Sequence, residues 1–484
     1  MEQWGNVPIR SVREGKVGEL PEQKEGSACK ITKSTKYLTY VDTIQDIKKD
    51  GPIHGKELVE AWTLENEHLA VKGVLLGGNL MGFVDKETGE EYLWLNKEGA
   101  VPYGPDSDAF PLKRGLTLHG GIRMAAVTAE HGLYYDTDWD LDFKVSKSGD
   151  QASLIFKIQD TFEARQQLNG ELSKKGFSSY GPVAMSNYPV TDAWFEFKVT
   201  LKSGEKFLRT KCTVKNTKDE TIQAEAWMPQ TWPIDRNSQI ISHQKKRHIK
   251  AGNAAYVSDS WVMRSMIEEK YVASDMGLDP DSNLPYYSGK GPFTTKDKEG
   301  PKDGWAVAWP PAQLGITETL KKQGLEGKDY LWGSFNLNYP LQWPSPDGGI
   351  TYDYPYMDGE YHAISFGSNT GRGMAYVPEE SSEKKPHFTK MWSWGMPEVF
   401  NRNEAANKDP PLAAGRPVTE YYEPWASAFN TAFFELYQFP PNSKSSWEGR
   451  FVPITEGLGD DMKQHQLREV VDEAVEDAVK SFKK

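Results

Sequence analysis

Hydrophobic and polar positions alternate along most of the middle of this chain, at the spacing of strands with one buried and one wet face. Leu69-Ala70-Val71-Lys72-Gly73-Val74 leads through Gly77-Gly78 into Asn79-Leu80-Met81-Gly82-Phe83-Val84, and Asp85–Gly89 then turns the chain toward Tyr92-Leu93-Trp94. The glycines and the Asp-Lys-Glu-Thr-Gly run are hairpin punctuation between apolar flanks. Further on, Ser153–Ile158 predicts a strand. Trp194–Leu201 alternates, turns at Ser203-Gly204-Glu205 and returns as Phe207–Val214, and a turn at 216–220 leads into Ile222–Trp227. Strands are expected again over 330–336, 363–367, 388–394 and 433–439.

The pattern changes in three places. Residues 1–59 are polar and rich in lysine, and are expected to be an extended lead-in. Residues 275–330 carry Pro280, Pro285, Pro292, Pro301, Pro310 and Pro311, and predict long loops with at most a short helix at 318–322. Loops of that length in a compact β protein lie over binding sites or carry function. In 456–484, Leu467, Val470, Val471, Ala474, Val475, Ala478 and Phe482 recur at helical spacing. This predicts an amphipathic helix whose apolar stripe packs on a sheet or on a partner. The organisation read from the sequence is therefore a lead-in, a β domain over 60–455 and a closing helix.

Composition narrows the function. Of 484 residues, 12% are aromatic, including 16 Trp and 22 Tyr, which argues against disorder. Such rings fill cores, and in clefts they match the apolar faces of sugars. A net charge of -12 argues against a nucleic-acid partner. The one basic run, His243–Lys250, reads either as a solvated loop or as a contact for an anionic substrate. No run of about 18 apolar residues is present, so no membrane-spanning helix is expected. The first residues lack a signal region. The compartment stays open: cytoplasmic, or periplasmic or secreted if a signal has been removed. Cys29 and Cys212 form no disulfide framework, and whether they pair is not legible. Metalloprotease, Cys-x-x-Cys, phosphate-loop and nucleophile-elbow motifs are absent. No cofactor and no metal are expected.

Chemistry-capable residues concentrate in Leu118-His119-Gly120-Gly121-Ile122-Arg123, followed by His131. Histidine titrates near neutrality and serves as acid or base. Two glycines after His119 leave the backbone open to close approach. A second candidate is Tyr421-Tyr422-Glu423-Pro424-Trp425, where proline favours an extended Glu423 and the rings favour a raised carboxyl pKa. Tyr352, Asp353, Tyr354, Tyr356, Glu360, Tyr361 and His362 form a third cluster, either one wall of an aromatic cleft or plain strand surface.

The order of Gly77–Gly89, Leu118-His119-Gly120-Gly121, Trp392-Ser393-Trp394-Gly395 and Glu423-Pro424-Trp425 resembles that of the galactose mutarotase-like superfamily, over roughly residues 60–455. The resemblance implies a large antiparallel β-supersandwich with long loops that binds mono-, oligo- or polysaccharide in a concave cleft. It implies His119 as a binding or acid residue and Glu423 as the base. Arg123, Trp232, Tyr352, Tyr354, His362, Trp394 and Trp425 are expected to bind substrate. His119, Arg123 and Glu423 are expected to converge within about 10 Å, close enough to flank one sugar ring. The epimerases' second histidine falls near Ala226–Trp232, where this chain has none; His131 is the candidate replacement. An epimerase-like or glycoside-processing enzyme, a polysaccharide lyase acting on uronates and a non-catalytic glycan binder all remain compatible with these residues.

Overall fold

The computed structural model describes residues 13–41, 54–95, 120–127, 133–134, 137–166, 189–233, 239–245, 307–308, 330–336, 349–354, 361–367, 370–380, 388–394, 421–429, 437–459, 462 and 464–483. Of these, only the backbone is described for 39–41, 54–57, 239–240, 242–245, 307–308, 330–336, 349–354, 388–394, 421–429, 437 and 464–465. The chain forms two compact units. Unit 1 comprises Met1–Thr231, Ala405–Thr419 and Leu436–Glu448; unit 2 comprises Trp232–Glu404, Glu420–Glu435 and Gly449–Lys484.

In unit 1, β1 (Lys30–Val41), β2 (His54–Glu65), β3 (Leu69–Val74) and β4 (Asn79–Asp85) pair antiparallel in that order. Next come β5 (Ala125–Val127), β6 (Asp140–Val145), β7 (Gln151–Gln159), β8 (Trp194–Lys202), β9 (Leu208–Lys215) and β10 (Ile222–Pro229). A second sheet runs β6-β7-β8-β9, while β10 pairs with β5 and with the late strand β20 (Tyr437–Phe439). The first two sheets pack face to face. Phe156 and Leu154 of β7 press on Gly73 of β3, where a Cβ would lie 2.6 Å from the Phe156 ring. Trp62 of β2 and Phe143 of β6 lie with ring centroids 6.1 Å apart.

Unit 2 holds β11 (Trp232–Pro233), β12 (Gln239–Lys245), β13 (Val307–Ala308), β14 (Tyr330–Asn336), β15 (Gly349–Tyr354), β16 (Tyr361–Ser365), β17 (Gly371–Pro378), β18 (Phe388–Trp394) and β19 (Tyr421–Phe429). It also holds the part of β21 (Lys444–Leu458) from Gly449 onward and the helix α1 (Gln464–Lys480). One sheet runs β13-β15-β18-β19 with β11 paired to β19; the other runs β14-β12-β16-β17-β21. Every strand pair named is antiparallel except β13 with β15. The fold is all-β with a closing helix, as the alternation implied. Helix α1 packs against β17 and buries Leu467, Val471, Val475 and Ala478. After it, Phe482 stacks under the Arg450 guanidinium at 4.0 Å.

The expected hairpins stand where the alternation put them: β3 to β4, and β8 to β9 around 203–207. The lead-in differs. It contains β1, paired with β2 along its whole length. Its apolar period is faint because β1 is an edge strand carrying Lys30, Lys33 and Lys36, a composition that discourages pairing with other chains. The segment expected to be long loops with at most a short helix contains β13; positions 318–322 lie outside the described residues. The strand expected over 433–439 is described only as β20. Of the basic run, His243–Lys245 ends β12 and the rest lies outside the described residues. Cys29 and Cys212 are separate buried thiols, and burial pushes Cys29 up to about 11. Among the described residues no helix is long and apolar enough to cross a membrane.

Candidate functional site

His119 and His131 lie outside the described residues; the segment that follows His119 does not. Gly120 and Gly121 have φ of 79° and 99°, which glycine alone adopts without strain. A Cβ on Gly120 would lie 2.3 Å from the Trp94 carbonyl, and one on Gly121 would lie 2.2 Å from that of Leu80. What approaches these glycines is thus the protein's own backbone. The sequence expectation of an opening for ligand is corrected at these two positions: Trp94 and Leu80 already fill the space. Thr231 pins the segment. Its Oγ1 accepts from the Gly121 N–H at 2.6 Å and donates to the Trp94 carbonyl at 2.9 Å. Its own N–H donates to the Gly121 carbonyl at 2.9 Å. Asn79 Nδ2 donates to the Gly120 carbonyl at 2.9 Å. Thr231 and Asn79 were missed by the sequence reading; a Thr or Asn holding a left-handed turn leaves no local signal.

Replacing Gly121 by alanine is expected to cost about 1–3 kcal/mol, from its positive φ and from the Leu80 clash. Urea denaturation measures this, and an unchanged midpoint would contradict the packing. Arg123 follows directly. It is buried, and its N–H donates to the Pro229 carbonyl at 3.3 Å. Strand β5 continues this pairing, with Trp227 opposite Ala125 and Glu225 opposite Val127. Alternation along both strands therefore sets Arg123 on one face with Trp227 and Glu225.

In unit 2 the register arranges the remaining candidates. Across β15, β18 and β19, three rows share one face. They are Gly349–Trp394–Tyr421, Thr351–Trp392–Glu423 and Asp353–Lys390–Trp425. Trp394, Glu423 and Trp425 are thus brought to one surface. Tyr352 and Tyr354 are not. They stand at the alternate positions of β15, in the rows of Met391 with Pro424 and of Thr389 with Ala426. Strand β11 pairs Trp232 with Tyr422, which puts Trp232 on the tyrosines' face and not on that of Glu423. That face is turned toward the other sheet of unit 2. Trp232 stacks on His362 of β16 with centroids 5.9 Å apart and planes at 24°. Both residues are fully buried. Burial pushes the His362 imidazole down to about 3, so it stays neutral near neutrality. Trp232 and His362 meet each other in the interior, while Glu423 belongs to the face turned away from that interior. Lys390 and Trp392 were missed as site candidates, although Lys390, Trp392 and Trp394 alternate along one strand and carry a period-two signal.

Arg123 belongs to unit 1 and Glu423 to unit 2. Among the described residues no group of three or more His, Cys, Asp or Glu could hold a metal ion.

No family model matches the chain, and no curated protein matches it. Solved structures similar to it include a TPR-domain containing protein from Parabacteroides distasonis, at 10% identity and a TM-score of 0.48, over 92% of this chain and 57% of that one. A galactose mutarotase-like protein from Clostridium acetobutylicum is 12% identical with a TM-score of 0.41, over 82% of this chain and 95% of that one. Another from Lactobacillus casei is 9% identical with a TM-score of 0.38, over 81% and 99%. The class is that of antiparallel all-β proteins with a closing helix, and mutarotase-like proteins are among its structural neighbours.

Proposed function

We propose that this chain is a carbohydrate-active enzyme that binds a sugar against the face of Trp394, Trp392, Trp425 and Glu423, and carries out acid–base chemistry at the sugar ring. The observation that carries the reading is the register of β18 and β19. It sets a carboxylate directly across from one tryptophan, with a second tryptophan diagonal to it and a third two residues along its own strand. Aromatic rings match the apolar C–H faces of sugars, and a carboxylate among them is suited to taking a hydroxyl proton. In the epimerase-like form of the reaction, Glu423 takes the proton of the anomeric hydroxyl while an acid protonates the ring oxygen. The bond between the anomeric carbon and the ring oxygen breaks to give the open-chain aldehyde. Reclosure on the other face returns both protons. The sequence resemblance implies a binding or acid role for His119. Trp232 and His362, being buried against each other, take a supporting place outside direct contact with the sugar.

The test is turnover of a panel of free aldoses and glycosides by the full chain, followed by NMR of the anomeric protons. Glu423→Gln is expected to slow conversion about 100- to 10000-fold while thermal protection by the sugar is retained. Wild-type turnover unchanged by Glu423→Gln would overturn the assignment. Formation of an unsaturated, ultraviolet-absorbing product from a uronate polysaccharide would replace it with β-elimination.

A further inference from the structure

The outer face of the sheet β6-β7-β8-β9, all of it in unit 1, carries cations that the packing of the sheet does not require. The inner face is apolar and fully buried, with Leu154, Phe156, Phe195 and Phe197. The alternate positions form rows across the strands. One row is Lys144–Ser153–Thr200–Arg209, and the next is Asp142–Ile155–Lys198–Lys211. Cations outnumber carboxylates on this face, although the chain as a whole has a net charge of -12.

Several of these cations are answered locally. Lys157 pairs with Asp142, Lys211 with Glu448 at 2.8 Å, and Arg209 with Glu205 through Nε at 2.7 Å. Among the described residues, neither Lys198 nor Lys144 stands in an ion pair. Lys198 is half-buried and lies directly across from Lys211, while Lys144 stands on the far side of Ser153 and Ile155. Like charges directly opposite one another destabilise a sheet. Burial, and then the charge of Lys144, hold the Lys198 ammonium below its ordinary pKa; Lys211 acts the same way, and Glu196 and Glu448 oppose it. The floor between Lys144 and Lys198 is polar, with the Ser153 and Thr200 hydroxyls 2.9 Å apart. Trp194, also half-buried, stands on the same side of β8 as Lys198, about 13 Å away along the strand.

We propose that this face binds an acidic oligosaccharide, with a uronate carboxylate seated on Lys198 and Lys144 and a sugar ring lying on Trp194. The carboxylate supplies the counter-charge that the sheet leaves out, and bonds from ammonium groups to a carboxylate are stronger than neutral ones. Trp194 offers an apolar ring face that a bare oxyanion would leave unused. A nucleic acid fits less well, because a long phosphate polyanion would extend past this local patch into the field of an acidic chain. The inference is independent of the reading of Glu423, which belongs to unit 2.

The experiment is isothermal titration calorimetry of the full chain with a galacturonate oligosaccharide, with the neutral galactose oligosaccharide of the same length and with sodium sulfate. The acidic sugar is expected to bind, less tightly as salt is raised, and the neutral one to give no heat. Lys198→Met is expected to weaken binding about 10- to 100-fold, and Lys198→Arg to keep it near the wild-type value. Trp194→Ala is expected to weaken it about threefold or more. If Lys198→Met does not fold, Lys144→Met, at an exposed position, is expected to weaken binding in the same direction. Absence of binding, or an affinity unchanged in the folded lysine variant, overturns the proposal. Sulfate bound as tightly as the oligosaccharide, with Trp194→Ala silent, overturns the sugar as occupant. Tighter binding of a short single-stranded DNA that is lost in the lysine variant replaces it with a nucleic acid. Failure of the Glu423 reading shows separately, as turnover indifferent to Glu423→Gln.

Discussion

Replacing Asp160 by alanine is expected to remove about 3–5 kcal/mol of folding stability, among the largest losses a single substitution should cause in unit 1. The Asp160 carboxylate is fully buried and accepts five hydrogen bonds. Arg165 donates from Nε at 2.6 Å and from Nη2 at 2.7 Å. The Tyr134 hydroxyl donates at 2.7 Å, and the Thr191 N–H and Oγ1 each donate at 2.8 Å. Arg165 is equally buried. Burial alone would lower its pKa, but the bonds and charge of Asp160 outweigh that and hold it above its ordinary value. Burial, and then the Asp160 charge, push the Tyr134 phenol well up, so it stays a donor. Without the carboxylate, a guanidinium stays in the interior having lost its counter-charge, while its bond to the Pro189 carbonyl at 2.9 Å survives. That loss dominates because desolvating a charge costs several kcal/mol unless an opposite charge offsets it.

The network also explains why the loss should be cooperative. It ties the end of β7, the helical segment 162–166, the stretch before β8 and the Leu133-Tyr134 turn to one carboxylate. Denaturant unfolding of the full chain measures the effect. A loss under about 1 kcal/mol would mean that the pair is dispensable. The double variant Asp160→Leu, Arg165→Met should recover much of the stability, because an apolar pair leaves no buried charge behind.

The second large effect is acid sensitivity from His362. Its pKa is about 3 in the folded chain, held down by burial, against an ordinary value of 6.5. The sign follows from which state binds the proton. Below about pH 6.5 the unfolded chain protonates this histidine while the folded chain does not, so stability falls as pH drops toward 3. Between those limits the loss is about 1.4 kcal/mol per pH unit, or about 2 kcal/mol at about pH 5. His362→Phe keeps a ring against Trp232 and removes the titration. The wild type should lose about 2 kcal/mol more than this variant between about pH 7.5 and 5, with the other groups cancelling in the comparison. Parallel stability curves for the two proteins would contradict the burial of a neutral imidazole.

Strand identity was legible wherever alternation was strong, as in β3, β4, β7, β8, β9 and β10. It faded in β1, where the edge position favours lysine over the apolar residues that carry the signal. The candidate site was legible as residue types and less so as an arrangement. Asp353 and its neighbours Tyr352 and Tyr354 read as one cluster in the sequence, yet successive residues of a strand point to opposite faces. Asp353 shares a face with Glu423, and the two tyrosines do not. Likewise, two glycines after a histidine read as room for a ligand, and only packing shows Trp94 and Leu80 in that room.

The sequence by itself determined the all-β class, the main hairpins, the closing helix and the residue types of the candidate site. These follow from local periodicity, which each segment carries within itself. The tertiary structure alone decided which strand lies beside which, and in what register. Lys390, Trp392 and Trp394 meet the row of Glu423 because β18 pairs with β19 across a long stretch of intervening chain. No local pattern encodes that alignment, and a slip of one residue would have put Glu423 on the face of Trp232 and His362 instead.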